Sequence, residues 1–273
     1  MTSVIRAELR RLGHWPTMWI LGGVWFVLNL TFGYLFPYLT YRSKGTPVLL
    51  FQMLPDQAGV TLVQGMPLFG GALLMILGAL TIGSGYGWGT WKTVFTTGPR
   101  RATALGGTFA TLAVAAVALV TVTLGLDLGA SSVIAAVEHQ TAAFPALATL
   151  GQDYGAALLI SLMWMFAGAL LGTLTRGPAL AVGLGLVWAL VVENLLRGVA
   201  SLLGPLRLVT DWLPGTGAGS VAGAIGALPQ NDPNGTPGVQ TILSGASASW
   251  LLVAYVAVFL ALSLGLTVRR DVT

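Results

Sequence analysis

Six long apolar stretches, separated by shorter polar ones, dominate the pattern of hydrophobic and polar positions along this chain. An α-helix rises about 1.5 Å per residue, so about 20 apolar residues cover the ~30 Å hydrocarbon core of a bilayer. The six stretches have this length, and they occupy residues 17–36, 62–82, 104–126, 154–174, 179–196 and 249–268. The sequence therefore predicts an all-α polytopic membrane protein with six transmembrane helices, in which residues 1–273 form a single transmembrane domain.

Residues 1–15 have an amphipathic pattern instead. Apolar side chains fall on one helical face and charged ones elsewhere: Val4, Ile5, Leu9 and Leu12 against Arg6, Glu8, Arg10 and Arg11. Such a helix lies in the membrane interface with its basic side toward the lipid headgroups, so an N-terminal interfacial helix is predicted.

The connections between the spans differ in length. Residues 38–61 and 127–153 are predicted as polar loops. In residues 198–248, apolar pieces broken by Gly204 and Pro205 are too short to cross a bilayer, which predicts partly inserted, re-entrant or interfacial helices on the outer side. Just before them, Glu193 and Arg197 are four residues apart and are expected to pair on one helix face. The alternative is a functional role, because an ionisable residue within a span is a functional candidate.

Composition narrows the class of protein. Hydrophobic residues make up 55% of the chain and charged residues 8%, whereas a soluble domain has about 25% charged residues. The basic residues are scattered among the loops, so the net charge of +4 does not indicate nucleic-acid binding. The chain has no Cys, and His14 and His139 are too far apart in sequence to suggest a metal site.

The distribution of basic residues predicts the orientation. With the N-terminus in the cytoplasm, nine of the 13 Lys and Arg residues fall in inner segments. Cytoplasmic segments of membrane proteins carry such an excess, so both termini are predicted in the cytoplasm.

One inner connection, residues 83–101, has an unusual pattern, GSGYGWGTWKTVFTTGPRR. Its alternating glycines end the preceding helix and permit a sharp turn. Thr90 to Thr97 is predicted as a short helix with Thr90 as N-cap, and Gly98 and Pro99 are expected to stop it. One face of this helix is apolar and the segment is basic: the residues are Trp91, Val94 and Phe95, then Lys92, Arg100 and Arg101.

Catalytic signatures are absent from the sequence. It contains no GxxxxGK[ST] nucleotide-binding loop, no HExxH, no GxSxG and no close pair of carboxylates. The chain is therefore expected to be a non-catalytic subunit, and energy for transport would come from a partner or an ion gradient.

The order of these parts resembles the membrane subunit of a type-2 ATP-binding cassette exporter. The resemblance rests on residues 88–92 (Trp-Gly-Thr-Trp-Lys), 98–101 (Gly-Pro-Arg-Arg) and 268–272 (Val-Arg-Arg-Asp-Val), and the layout covers nearly the whole chain. In one departure, Gly85 stands where many relatives carry Glu.

The resemblance implies that residues 86–97 form a coupling helix, which sits in a groove of a separate cytoplasmic ATPase that binds ATP and Mg. The expected coupling residues are Tyr86, Trp88, Thr90, Trp91, Lys92, Val94, Phe95, Pro99, Arg100 and Arg101. Two permeases and two ATPases would assemble in the bacterial inner (plasma) membrane. Because the chain shows no internal repeat, a second permease, identical or related, would supply the other half of the path.

The expected path for an apolar or amphipathic cargo (a drug, lipid, antibiotic or peptide) lies between the two permeases. Its candidate residues are Trp25, Asn29, Phe32, Met75, Trp188 and Glu193. The alternative for each is a position facing lipid or packed in the core. An ion-coupled carrier or channel using Glu193 and Asn29 remains a second hypothesis for the function. A membrane enzyme acting on lipids is disfavoured, because no His, Asp or Glu residues converge in the sequence.

Overall fold

Helices form all the regular structure in the computed structural model, which describes residues 2–98 and 100–269. Six of these helices are long and apolar enough to cross a membrane, and no strand occurs among the described residues. They are α2 (Pro16–Lys44), α4 (Pro55–Gly87), α6 (Arg101–Val137), α7 (Leu147–Thr175), α8 (Pro178–Ala200) and α11 (Gly245–Arg269). The shorter helices are α1 (Thr2–Gly13), α3 (Pro47–Gln52), α5 (Thr90–Thr97), α9 (Arg207–Thr210) and α10 (Pro214–Ile225). The predicted all-α fold with six apolar helices is confirmed.

The centre of the bundle is the pair α4 and α7. A Cβ atom added at Gly78 of α4 would overlap the carbonyl oxygen of Met165, and one at Gly168 of α7 would overlap that of Met75. Glycine thus lets the two backbones touch, as small residues commonly do between membrane helices. In the apolar 18-residue stretch of each helix, 67% of the residues of α4 and 72% of those of α7 are buried. In α2, α8 and α11 the buried share is 22% or less. The outer helices therefore present apolar faces to their surroundings.

The predicted polar loops at 38–61 and 127–153 are wrong for much of their length. Helix α2 continues to Lys44 and α6 to Val137, because polar side chains at these ends bind each other. The hydroxyl groups of Tyr38 and Tyr41 donate hydrogen bonds to the Glu138 carboxylate at 2.6 and 3.1 Å, and Arg42 lies 3.3 Å from the same group. Polarity at a helix end was therefore a poor guide to where the helix stops.

Three of the long helices contain a wider, π-helical turn. These turns are Thr31–Leu35 in α2, Met66–Gly70 in α4 and Val187–Val192 in α8. The second holds Pro67, which lacks a backbone N–H and cannot complete a regular turn. A proline within a span is expected to kink the helix or open its turn, and the wider turn at Pro67 agrees with this expectation.

The short helices mark the two ends of the bundle. At one end, Arg11 of α1 donates a hydrogen bond to the Thr81 carbonyl oxygen of α4 at 3.3 Å, and the rings of Trp15 and Trp88 are 6.2 Å apart. Helix α1 packs against α6, and a Cβ at Gly107 of α6 would touch the Val4 side chain. The N-terminal helix therefore lies at the end of the bundle where α4 leads into α5.

Helix α10 lies at the other end of the bundle. Its twelve residues span only about 18 Å, too short to cross a bilayer. It packs against α4, α7 and α11, and its residues 214–222 are buried. The chain after it returns over α4, where Gly238 touches Leu68. The side of the membrane on which this end lies stays a prediction.

Candidate functional site

Helix α5 begins through a glycine turn. Gly89 has a φ of +68°, in the left-handed region that glycine adopts without strain, and the helix runs from Thr90 to Thr97. Gly89, rather than the predicted Thr90, is therefore the N-cap residue, and Thr90 is the first residue of the helix. At the other end, the Gly98 N–H donates a hydrogen bond to the Val94 carbonyl oxygen at 2.9 Å. The predicted helix is confirmed; Pro99 lies outside the described residues.

Trp91 attaches α5 to the bundle. Its side chain is buried, and its indole Nε1 donates a hydrogen bond to the carbonyl oxygen of Ile82 in α4 at 3.0 Å. The Phe95 ring stacks on it at 5.2 Å, and the Tyr86 ring lies 6.2 Å away. With Val94, these aromatic residues form an apolar face packed against the core.

The Trp91 indole also explains why glycine stands at position 85. A Cβ atom there would lie only 2.5 Å from Trp91 Nε1, closer than side chains approach one another. Gly85 is buried as well. A glutamate at this position would therefore displace the tryptophan that holds α5 in place.

The opposite face of α5 and its flanks are open. Lys92 and Arg100 are exposed, and 68% of the Trp88 side chain is exposed despite its contact with Trp15. The Arg101 guanidinium lies 5.7 Å from the centre of the Phe95 ring. The segment thus combines a buried aromatic face with an exposed basic face.

The predicted path residues do not lie together. Trp25 and Asn29 of α2 are buried against α6: the Trp25 indole donates to Thr123 Oγ1 at 3.0 Å, and the Asn29 amide donates to Asp127 Oδ1 at 2.6 Å. Met75 is buried, with its sulfur close to Gly185 of α8.

Phe32 has 60% of its surface exposed and lines a cavity of about 330 Å³ near α10. Of the six candidates, only Trp188 and Glu193 touch each other through hydrogen bonds.

Glu193 is buried inside the bundle. The Trp188 indole donates to its Oε1 at 2.7 Å, and the backbone N–H of Gly215 at the start of α10 also binds the carboxylate. A Cβ at Gly215 would overlap this carboxylate. The start of a helix has free backbone N–H groups, so it offers hydrogen-bond donors to this carboxyl group.

Glu193 and Arg197 were expected to pair on one helix face; their charges interact, but they make no direct ion pair. Arg197 Nη2 instead donates to Asn194 Oδ1 at 2.8 Å, and its Nη1 lies 3.5 Å from Thr216 Oγ1. No salt bridge joins the two residues in the part of the chain that the structure describes. Helix periodicity placed them on one face, but α10 supplies competing partners for both.

Sequence reasoning missed Asp127 as a buried residue. It follows a long apolar run, so the sequence predicts that it lies in a loop, yet it is fully buried within α6. Tyr34 also donates to its backbone carbonyl oxygen at 3.1 Å, and Asp127 Oδ2 has no partner among the described residues. Asn29 was the available signal, because a polar side chain within a span needs a partner on a neighbouring helix.

No model of a known protein family matches this chain, and a search of curated proteins finds no match. Within residues 2–98 and 100–269, no three His, Asp or Glu side chains are grouped so that they could hold a metal ion.

Proposed function

We propose that this chain is the permease subunit of an ATP-driven exporter, of the type-2 ATP-binding cassette kind, and that α5 docks on a separate cytoplasmic ATPase. The observation that carries the proposal is the division of α5 into a fixed face and an open one. Trp91 and Phe95 hold it to the bundle, while Lys92 and Arg100 remain exposed for a partner. Arg and Trp are enriched in protein-binding surfaces, and exposed positive charge steers the approach of a partner.

The packing beneath α5 offers a route for transmitting movement. The hydrogen bond from Trp91 to Ile82 joins α5 to α4, and the glycine contacts join α4 to α7 at the centre of the bundle. A displacement of α5 would therefore be passed to the central pair rather than absorbed by a loose loop. ATP and Mg would be bound by the ATPase, whose binding and hydrolysis cycle would move α5.

The cargo in this proposal is apolar or amphipathic, and its path lies between two permeases. Within one chain the predicted path residues are mostly buried in helix contacts, whereas α2 and α8 keep large apolar faces exposed. A second copy, or a related permease, would face them. In the proposed orientation α5 and both termini lie in the cytoplasm of a bacterial cell, and the protein resides in its plasma membrane.

The decisive experiment is co-purification of the chain with candidate ATPase subunits, followed by measurement of ATP turnover in lipid nanodiscs. Lys92→Glu and Arg100→Glu should each lower co-purification and turnover by about tenfold, because reversed charges oppose docking. Lys44→Glu is the matched control, since Lys44 is also exposed but lies at the opposite end of α2 from α1. Unchanged turnover in both variants would refute docking at α5.

A second candidate function, an ion-coupled carrier, is favoured by one observation. Asp127 is buried within α6 with one carboxylate oxygen lacking a partner among the described residues. Ionisable groups in spans commonly mark ion or proton pathways. Uptake into liposomes without ATP, abolished in Asp127→Asn and retained in Lys92→Glu, would support this function; uptake that needs an ATPase would exclude it.

A further inference from the structure

The cavity beside Phe32 lies at the end of the bundle opposite α5. Its volume is about 330 Å³, and pockets for small molecules commonly measure about 300–1,000 Å³. One wall belongs to α2, another to α3 and the first turns of α4, and residues 226–236 of the returning chain complete it. All of these walls come from one chain, so the cavity is complete without a second permease or an ATPase.

Fixed backbone shapes this cavity. A Cβ atom at Gly33 would lie 2.8 Å from Thr61 Cγ2, so glycine lets α2 approach α4 closely here. Gly33 belongs to the wider turn Thr31–Leu35 of α2, and such turns are frequent at functional sites. In the returning chain, the Thr236 N–H donates a hydrogen bond to the Leu228 carbonyl oxygen at 3.1 Å. The cavity is therefore part of the folded structure of the chain.

The wall of the cavity is polar but uncharged. None of the described residues that line it is Asp, Glu, Lys, Arg or His, and seven of them carry amide or hydroxyl side chains. The amides of Gln52 and Gln64 are partly exposed and make no hydrogen bond within the described part of the chain, whereas that of Gln57 binds the exposed Asp56 carboxylate at 3.3 Å. A free amide suits a group that both donates and accepts hydrogen bonds, such as a hydroxyl. A charged group would lose hydration here without a counter-charge.

The cavity also has an apolar side, on the outer surface of α2. Phe32 is 60% exposed and Phe36 is 49% exposed, and their rings meet edge to face with centres 5.3 Å apart. When α2 spans a bilayer, the part of the mouth that these rings form faces lipid. Asn234 of the returning chain, at the end of the bundle, is exposed as well. The lining thus combines hydrogen-bonding amides with aromatic rings beside the lipid.

We propose that this cavity binds one uncharged amphipathic molecule. Its hydroxyl groups would bind the amides of Gln52 and Gln64, and its apolar part would lie along Phe32 and Phe36 toward the bilayer. A sugar ring that carries an alkyl chain has this chemistry, and it comes either from a neutral glycolipid of the bilayer or from a small soluble amphipath. The site goes beyond the proposed function, because binding here requires neither α5 nor ATP.

The test uses the full-length chain in phosphatidylcholine nanodiscs without ATPase or ATP, so its outcome is independent of docking at α5. Binding of radiolabelled hexyl β-glucoside is measured by scintillation proximity, and uptake by empty nanodiscs is subtracted. Two competitors, hexyl sulfate and hexyltrimethylammonium, have the same chain and a charged head. Each should compete about tenfold more weakly than unlabelled hexyl glucoside, because the wall does not compensate a desolvated charge.

Substitution of either free amide should lower the affinity for hexyl glucoside. Gln64→Leu and Gln52→Leu each remove the hydrogen-bonding groups and keep a side chain of similar size, so we expect about fivefold weaker binding. Gln64→Glu should also weaken it, and should strengthen competition by hexyltrimethylammonium, because it places a negative charge in the wall. Gln152→Leu is the matched control and should bind like the wild type, since Gln152 is exposed on α7 outside this cavity.

Competition by monoglucosyl diacylglycerol in the nanodisc would identify a bilayer glycolipid as the ligand, and lack of competition would identify a small amphipath. Absence of saturable binding above that of empty nanodiscs, or equal competition by the charged compounds, would overturn the proposal. Wild-type affinity in both Gln64→Leu and Gln52→Leu would overturn it too. Should either variant fail to fold, the order of the competitors on the wild-type chain decides.

Discussion

In the segment that leads into α5, glycines bring an indole against the backbone of α4, whereas in α10 they bring a carboxylate against a helix N-terminus. Gly85 makes room for Trp91, and the left-handed Gly89 turns the chain. In α10, Gly215 admits the Glu193 carboxylate, and Gly219 admits the backbone of the returning chain at Gly238. Both segments are glycine-rich in sequence, yet Lys92 and Arg100 near the first are exposed, whereas Glu193, which contacts the second, is buried. Glycine content alone therefore says little about what a segment does.

The largest expected effect is at Gly215. In Gly215→Ala the new methyl group overlaps the buried Glu193 carboxylate, so the carboxylate loses its place at the start of α10. We expect a loss of about 2–4 kcal/mol of stability, seen as a lower apparent melting temperature in detergent by tryptophan fluorescence. Gly183→Ala in α8 is the control, because open space surrounds that position. Equal melting temperatures for the two variants would show that the contact between Gly215 and Glu193 does not contribute to the stability of the folded protein.

A smaller effect is expected at Gly85. In Gly85→Ala the methyl group displaces the Trp91 indole, which costs about 1–3 kcal/mol and loosens α5. Because trypsin cuts only locally opened chain, cleavage after the exposed Lys92 should become faster. Gly87→Ala, which makes only an ordinary contact with Pro178 at 3.4 Å, should be cleaved like the wild type. Should both variants be cleaved at the wild-type rate, Trp91 would not hold α5 in place.

A substitution at Gly89 tests the effect of the backbone conformation alone, because no side chain packs against this position. No atom lies within 4 Å of a Cβ built there, but its φ of +68° is unfavourable for alanine. Gly89→Ala should therefore cost about 1 kcal/mol, and Gly89→Asn less, since Asn tolerates the left-handed region. The readout is again the rate of cleavage after Lys92, and Gly89→Asn cleaved faster than Gly89→Ala would contradict the assignment.

The smallest effect concerns Glu138, a partly exposed carboxylate near the end of α6. The hydrogen bond from Tyr38 lowers the pKa of Glu138 below its usual 4.5, with further lowering from Tyr41 and Arg42. A carboxylate with a lowered pKa in the folded state stabilises the protein fully above the usual pKa and loses that contribution as pH falls through the lowered value. Glu138→Gln should therefore melt slightly below the wild type at pH 7, and this difference should shrink as the pH falls below 4.5. A difference that is constant with pH would exclude the carboxylate as its cause.

Local patterns predicted the helices well and the contacts between helices poorly. The helix Thr90–Thr97 and the distortion at Pro67 follow from neighbouring residues, so the sequence was sufficient. The partners of Glu193 could not be found in the same way, because Gly215 reaches it only after α10 folds back on α8, and Trp188 reaches it from five residues away across the wider turn of α8. The role of Gly85 was also hidden, since nothing in the sequence places the Trp91 indole on it.

The contacts between α2 and α6 have a consequence for movement. They occur at three depths, through Trp25 to Thr123, Asn29 to Asp127 and the Tyr38 hydroxyl to Glu138. Hydrogen bonds at three depths hold the two helices at a fixed separation, so the pair can tilt as one rigid body. If the chain is the proposed permease, α2 and α6 should therefore move together, and a disulfide engineered between them should leave ATP turnover of the complex unchanged.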